Sequence, residues 1–119
     1  MSLRSYRELI VWKKSFQLAI SSHRLAKQLP RTETFELGSQ IRRAAGSVPA
    51  NIAEGYGRRY RGDYLRHLSN ASGSLKELET HLLLATALEY LSHDDVRRSL
   101  SLASEVGRLL RALERSLRT

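Results

Sequence analysis

Arginine is the residue type through which this chain is best equipped to do chemistry. Lys and Arg total 20 against 12 Asp and Glu, which gives a formal net charge of +8, and most of the cations are Arg. The planar guanidinium grips a phosphate or carboxylate at two points, whereas Lys offers a single point charge. The composition therefore favours a polyanionic partner such as RNA or DNA, with ordinary solvated surface charge as the alternative.

Two groups of Arg are candidate nucleic-acid-binding residues. At 100° per residue, the predicted fourth helix places five Arg within about 80° of one another. The second group surrounds the turn between predicted helices two and three, with Tyr56 and Tyr60 as candidate stacking groups. The helix-four group is Arg97, Arg108, Arg111, Arg115 and Arg118, and the turn group is Arg42, Arg43, Arg58, Arg59 and Arg61.

Metal and catalytic sites have little support in the sequence. The chain has no Cys, and no Glu has a His three residues later, so the Glu-x-x-His ligand pair of di-metal bundles is missing. Three acid–His pairs lie four residues apart and predict surface ion pairs, namely Asp63–His67, Glu77–His81 and Glu89–His93. No nucleophile elbow or phosphate-binding glycine loop occurs. We expect no enzyme activity, no metal and no cofactor.

Asn51 raises a separate question, because it continues the apolar spacing of the predicted second helix. A polar side chain on a buried seam needs a hydrogen-bond partner. Ser47, one turn earlier, can supply it, and so can a neighbouring helix or subunit. We interpret Asn51 as part of a structural network, with an active site as the alternative. His23 likewise falls on an apolar stripe, which predicts a hydrogen-bonded core histidine.

Amphipathic helices must position these side chains. From Tyr6 to Gln28 a three-four spacing predicts helix one, and Pro30 then ends it, with Thr32 able to cap the next helix. The stripe of helix one is Leu9, Trp12, Phe16, Ala19, His23 and Ala26. Helix two carries Leu37, Ile41, Ala44, Val48 and Ile52 and ends at Gly55-Tyr56-Gly57. Pro49 lies inside it and predicts a kink.

The second half of the chain shows two further helices. The stripe of helix three is the most regular, and Ser92 with acids after it predicts the start of helix four. These stripes are Tyr64, Leu68, Ala71, Leu75, Leu78, Leu82 and Ala85, followed by Val96, Leu100, Ala103, Leu110, Leu113 and Leu117. Four such helices with short turns predict one all-α domain over residues 1–119, an antiparallel up-down four-helix bundle.

No apolar run approaches the roughly 20 residues of a membrane span, and the N-terminal residues lack the pattern of a secretory signal. We therefore expect a cytoplasmic protein without a membrane partner.

Three segments resemble the bacterial four-helix-bundle family named for 23S rRNA intervening sequences. They are residues 9–14 (LIVWKK), 40–55 (QIRRAAGSVPANIAEG) and 73–80 (GSLKELET). The middle segment is long and specific, and it contains Pro49, Asn51, Glu54 and Gly55. This chain departs from the family at Tyr60-Arg61-Gly62-Asp63, where members often have Ser or Thr before helix three.

The resemblance implies a left-handed four-helix bundle that assembles into a ring-like homopentamer. It also implies that Pro49, Asn51, Glu54 and Gly55 are structural or interface residues. Proteins of the same fold group serve as accessory proteins of diversity-generating retroelements, which bind nucleic acid and a reverse transcriptase. The hypothesis at this point is a non-enzymatic homo-oligomer that binds nucleic acid, RNA above all, through Arg-rich faces. The alternative is a protein-interaction scaffold or accessory subunit without nucleic-acid contact.

Overall fold

The computed structural model describes residues 4–119. Four α-helices contain most of these residues, and a 3-10 helix precedes each of the first two, Tyr6–Glu8 before α1 and Arg31–Glu33 before α2. No strand occurs between residues 4 and 119, so the all-α four-helix prediction is confirmed. The helices are α1 (Ile10–Ala26), α2 (Leu37–Tyr56), α3 (Arg61–Ala87) and α4 (His93–Arg118).

The helices are arranged so that each packs against two others. Helix α1 contacts α2 and α4, and α3 contacts the same two helices, while the diagonal pairs make no contact within the described residues. The contact between α2 and α3 is the most extensive. A fused core of leucine, isoleucine, valine and alanine fills the centre, because one apolar face of every helix turns inward.

Two helix pairs are shown to be antiparallel by their contacts. Gly55, near the end of α2, lies against His67 near the start of α3, whereas the earlier Ser47 meets the later Ser74. Between α1 and α4, the ammonium of Lys14 lies 3.6 Å from a carboxylate oxygen of Glu105. About two turns further along α1, the Ser21 hydroxyl lies 2.5 Å from the Ser99 hydroxyl of α4.

The core-facing side of α1 differs from the predicted stripe. The buried residues are Val11, Ser15, Leu18, Ala19, Ser22, Leu25 and Ala26. Ala19 and Ala26 of the predicted stripe are therefore buried, whereas Phe16 and the neighbouring Ile20 are 47% and 40% exposed. The two faces lie about 100° apart, which corresponds to a shift of one residue. His23 is exposed, so the prediction of a core histidine is wrong. Helix α1 therefore keeps a second apolar face outside the core.

The helix ends follow the sequence signals with two exceptions. Gly57 caps α2, and Ser92 forms a reciprocal capping box with Asp95 at the start of α4, both as predicted. Thr32 does not cap α2, because it lies inside the 3-10 helix and Glu36 precedes α2 instead. Tyr60 precedes α3 without a capping hydrogen bond from its side chain.

Helix α2 continues from Leu37 to Tyr56 without a break at Pro49, whose ring is buried. The predicted stripes of α2 and α3 are buried, apart from Tyr64, which is half-buried. Among the described helices, none combines the length and apolar character that a membrane crossing requires.

Candidate functional site

Charge is distributed unevenly along the bundle. The Lys14–Glu105 ion pair and the Ser47–Ser74 hydrogen bond mark a boundary near the middle of the long axis. We call residues 4–13, 48–73 and 107–119 the basic half, and residues 14–47 and 74–106 the neutral half. The basic half has eleven Lys and Arg against four Asp and Glu, whereas the neutral half has nine against eight. Nearly all of the net charge therefore lies at one end.

The antiparallel topology brings the two predicted Arg groups together in the basic half. The end of α4 lies beside the start of α3. Gly107 of α4 lies against Leu75 of α3, and from this contact α4 continues toward the end of the bundle at which α3 begins. The Arg side chains of the last turns of α4 and of the α2–α3 turn are all exposed there. They are Arg108, Arg111, Arg115, Arg118, Arg58, Arg59 and Arg61.

Few acids neutralise these residues. Arg58 lies 3.8 Å from Glu54 on the exposed surface, and Arg108 donates to the Ser104 hydroxyl at 2.9 Å. Between residues 4 and 119, no ion pair involves Arg59, Arg61, Arg111, Arg115 or Arg118. Their guanidinium groups are thus available to an anion.

Three predicted candidates do not join this cluster. Arg97 belongs to the neutral half, roughly 31 Å from Arg118 along α4, and it pairs with Asp94. Arg42 is half-buried and donates to the Thr34 carbonyl oxygen at 3.0 Å, so it fixes the loop before α2. Arg43 is exposed but lies on the neutral half of α2. The grouping of Arg42 and Arg43 with the α2–α3 turn was wrong, because residues 44–57, the rest of α2 and its C-cap, separate them from Arg58.

Aromatic side chains lie beside the cationic turn. Tyr60 is 66% exposed between Arg59 and Arg61. Tyr56 and Tyr64 form an edge-to-face pair with ring centroids 6.3 Å apart. Burial, and then the neighbouring Tyr56, raise the pKa of Tyr64 above its ordinary value, so its phenol stays protonated. Of the two predicted stacking groups, Tyr60 presents the more accessible ring.

A polar network joins α2 to α3 beneath this surface. The Asn51 amide donates to the Ser47 carbonyl oxygen at 2.9 Å and to the Ser47 hydroxyl at 3.0 Å. Its oxygen therefore faces His67 Nδ1 at 3.2 Å, so Nδ1 carries the ring proton and donates. The Ser74 hydroxyl donates to Ser47 at 2.9 Å. Asn51 thus has the partner predicted from the sequence, and His67 extends the network.

The other residues of the middle motif have distinct positions. Gly55 allows α3 to approach, because a Cβ there would lie 2.9 Å from the His67 Cβ and 3.2 Å from the Tyr64 carbonyl oxygen. Glu54 is exposed and pairs with Arg58. Pro49 is buried between α1 and α2, beside Trp12 and Phe16.

The predicted acid–His pairs do not form a metal site. Only His81 lies near its acid, with Nε2 3.9 Å from Glu77. Asp63 pairs with Arg66 instead of His67, and Glu89 lies in the turn before α4. Within residues 4–119, no three His, Asp or Glu side chains converge as metal ligands would.

The family model described as 23S rRNA-intervening sequence protein matches residues 7–112. The chain belongs to this family. A solved structure supports the assignment, a protein of unknown function from the S23 ribosomal protein family of Bacteroides thetaiotaomicron. It is 27% identical with a TM-score of 0.82, and the match covers 88% of this chain and 98% of the other. No curated protein sequence matches the chain.

Within this member of the intervening sequence family, sequence reasoning missed four cations of the basic half. Arg4, Arg7 and Lys13 come from the first residues of the chain, and Arg66 lies one turn into α3, 3.9 Å from Asp63. They share no motif. Only the antiparallel arrangement of the helices places them at the same end as Arg58 and Arg118.

Proposed function

We propose that this protein is a non-enzymatic homo-oligomer that binds RNA through the basic half of each bundle. The observation that supports the proposal is the segregation of charge, with eleven cations against four acids at one end. The description of the family, which refers to 23S rRNA, favours RNA over DNA. Phosphate contacts supply most of the affinity of such an interface and little sequence readout.

The arrangement suits a polyanion better than a small anion. Exposed Arg follow one another over about 15 Å along the end of α4, from Arg108 to Arg118. The α2–α3 turn adds Arg58, Arg59 and Arg61. A surface of this length can contact several consecutive phosphates, and Tyr60 can stack on an unpaired base beside them. In an oligomer, the contacts of separate subunits add through multivalency.

The test compares two triple variants of equal charge. One is Arg111→Glu, Arg115→Glu and Arg118→Glu in the basic half. The matched control is Arg24→Glu, Arg31→Glu and Arg98→Glu in the neutral half, where these three side chains are also exposed and form no ion pair within the described residues. Both variants change the net charge by the same amount, so only the position of the charge differs.

Affinity for an RNA hairpin, a DNA duplex and a single strand is measured by fluorescence anisotropy between low and physiological salt. We expect the basic-half variant to lose about tenfold or more in RNA affinity and to show a shallower salt dependence, because fewer counterions are released. The neutral-half variant should bind within about threefold of the parent. Equal losses of affinity in both variants would mean that the net charge alone attracts RNA and that the basic half is not an RNA-binding site.

Exposed leucines favour a second candidate function, that of a protein-interaction scaffold. Leu83 and Leu84 on α3 and Leu88 directly after it are 56%, 44% and 48% exposed, and large apolar side chains grouped on a surface are typical of protein contacts. A partner that the protein retains after nuclease treatment, together with no RNA binding at physiological salt, would favour this function over the first.

A further inference from the structure

The most exposed large apolar side chain lies opposite the basic end. Phe35 is 87% exposed in the loop between the 3-10 helix Arg31–Glu33 and α2. Leaving a phenyl ring in water is unfavourable, and an aromatic side chain is a frequent anchor of protein interfaces.

This loop is held rigidly at both sides of Phe35. Glu33 accepts a hydrogen bond from the Leu37 backbone amide at 3.3 Å and another from the Tyr90 hydroxyl at 2.9 Å. The Leu37 amide thus holds the chain after Phe35, and before Phe35 the Arg42 guanidinium donates to the Thr34 carbonyl oxygen at 3.0 Å. The ring is therefore presented on a fixed backbone, which lowers the entropic cost of docking it.

A groove between α1 and α2 has the complementary shape. Trp12 and Phe16 stack along one wall with centroids 4.9 Å apart, and Tyr6 packs edge-on against Trp12 at 5.2 Å. Small residues and Pro49 form the other wall, including Ala50 and Ala53. The groove is open to the surface and has a volume of about 360 Å³, whereas a closed apolar cavity of about 150 Å³ holds a benzene ring.

Phe35 cannot reach this groove in its own chain. The nearest groove residue on α2 is Gly46, nine residues after the start of the helix at Leu37, which corresponds to about 13 Å along α2. A Phe35 side chain that fills this groove therefore comes from a second copy. Charge is also complementary, because Glu36 follows Phe35 and Lys13 follows Trp12, and neither forms an ion pair within residues 4–119.

We propose that Phe35 of one copy inserts into the α1–α2 groove of a second copy, with Glu36 paired to Lys13 across the contact. This inference rests on the homo-oligomer in the proposed function and identifies its two surfaces. The contact joins different surfaces of the two copies, so it is heterologous and leaves a free Phe35 and a free groove for further copies. A ring closes when the rotation between neighbours allows it.

The first test uses the absence of Cys from this chain. The double variant Glu36→Cys with Lys13→Cys keeps Phe35 and the groove, and within one chain its two thiols are too far apart for a disulfide. We expect oxidation to link most of the chains into dimers and larger species on a non-reducing gel. The control Glu89→Cys with Lys13→Cys, whose new thiol is exposed at the same end of the bundle, should remain mostly unlinked. Equal linking of both would overturn the contact.

The second test mixes two variants that each lack one surface. Phe35→Ser removes the ring, and Ala50→Arg fills the groove at an exposed position. Each variant alone should have the mass of one chain by light scattering, and an equal mixture should form a 1:1 dimer because one intact Phe35 meets one intact groove. If the Phe35→Ser protein formed an assembly of the same mass as the unsubstituted protein, the Phe35 contact would be overturned, but the homo-oligomer would not. If the unsubstituted protein had the mass of one chain, both the Phe35 contact and the homo-oligomer of the proposed function would be overturned.

Discussion

The two halves of the bundle are held together by different kinds of interaction. In the basic half, α2 and α3 approach closely at Gly55, and Asn51 is hydrogen-bonded to His67. This network continues to Ser47 and Ser74 at the boundary between the halves. In the neutral half, leucines such as Leu78 and Leu82 fill the centre. The polar contacts there are separate pairs, as between Ser21 and the buried Ser99 and between Glu33 and Tyr90.

This difference matches the charges that each half carries. Eleven cations at one end repel one another, and that repulsion works against a compact fold. Directional hydrogen bonds and a tight glycine contact fix the spacing of α2 and α3, and thereby the position of Arg58, Arg59 and Arg61 at their junction. The neutral half carries little net charge, and apolar packing with separate hydrogen-bonded pairs suffices there.

The largest stability effect is expected at Gly55. In Gly55→Ala, the new Cβ would lie 2.9 Å from both the His67 Cβ and a ring carbon of Tyr64, so α2 and α3 must separate. We expect a loss of about 3 kcal/mol, at the upper end of the range for overpacking. Urea unfolding followed by circular dichroism measures it.

Gly73→Ala is the matched control, because it makes the same change in a helix of the same half. A Cβ at Gly73 meets no atom within 4 Å. This variant should gain about 0.5–1 kcal/mol from the lower backbone entropy of alanine. If both variants gained stability, the close approach of α2 and α3 would not be a requirement of the basic half.

The fold could be predicted where one apolar stripe of a helix is more regular than any other. The stripe of α3 keeps its three-four spacing from Leu68 to Ala85 and is buried as predicted, whereas Leu83 and Leu84 lie outside it and are exposed. Helix α1 has two apolar faces, and the pattern containing Trp12 and Phe16 looked stronger than the core face, which contains Ser15 and Ser22. Hydrophobic periodicity identifies the apolar faces of a helix. It does not distinguish a face that packs in the core from a face that packs in an interface.

The candidate site could be predicted in part for a similar reason. Arg111, Arg115 and Arg118 share one side of a helix, so spacing along the sequence was enough to group them. Grouping them with Arg58 and Arg61 requires the antiparallel packing of α3 and α4. Arg42 was misassigned because proximity in sequence to Arg43 conceals its role in holding the loop at Thr34.

A smaller effect is expected at Asn51. In Asn51→Ala, His67 Nδ1 loses its acceptor in the interior, and Ser47 loses a donor. We expect a loss of about 2 kcal/mol, because an unsatisfied buried group costs about 1–3 kcal/mol. Asn70→Ala, an exposed position on α3, should change stability by less than about 0.5 kcal/mol. Equal stability of the two variants in urea would show that the network adds nothing to the basic half.

The smallest effect is expected at Tyr90 in the neutral half, and it depends on pH. The hydrogen bond to Glu33, followed by burial, raises the pKa of Tyr90 above its ordinary value of about 10. The folded protein therefore holds the phenol proton more tightly than the unfolded chain does. The contribution of Tyr90 is complete below the ordinary pKa and disappears as pH rises through the raised value. We expect Tyr90→Phe to lower the urea midpoint slightly at pH 8 and to differ less from the parent at pH 11. A difference that stays constant over this range would mean that the hydroxyl acts through packing, and the edge of the neutral half would then resemble its apolar interior.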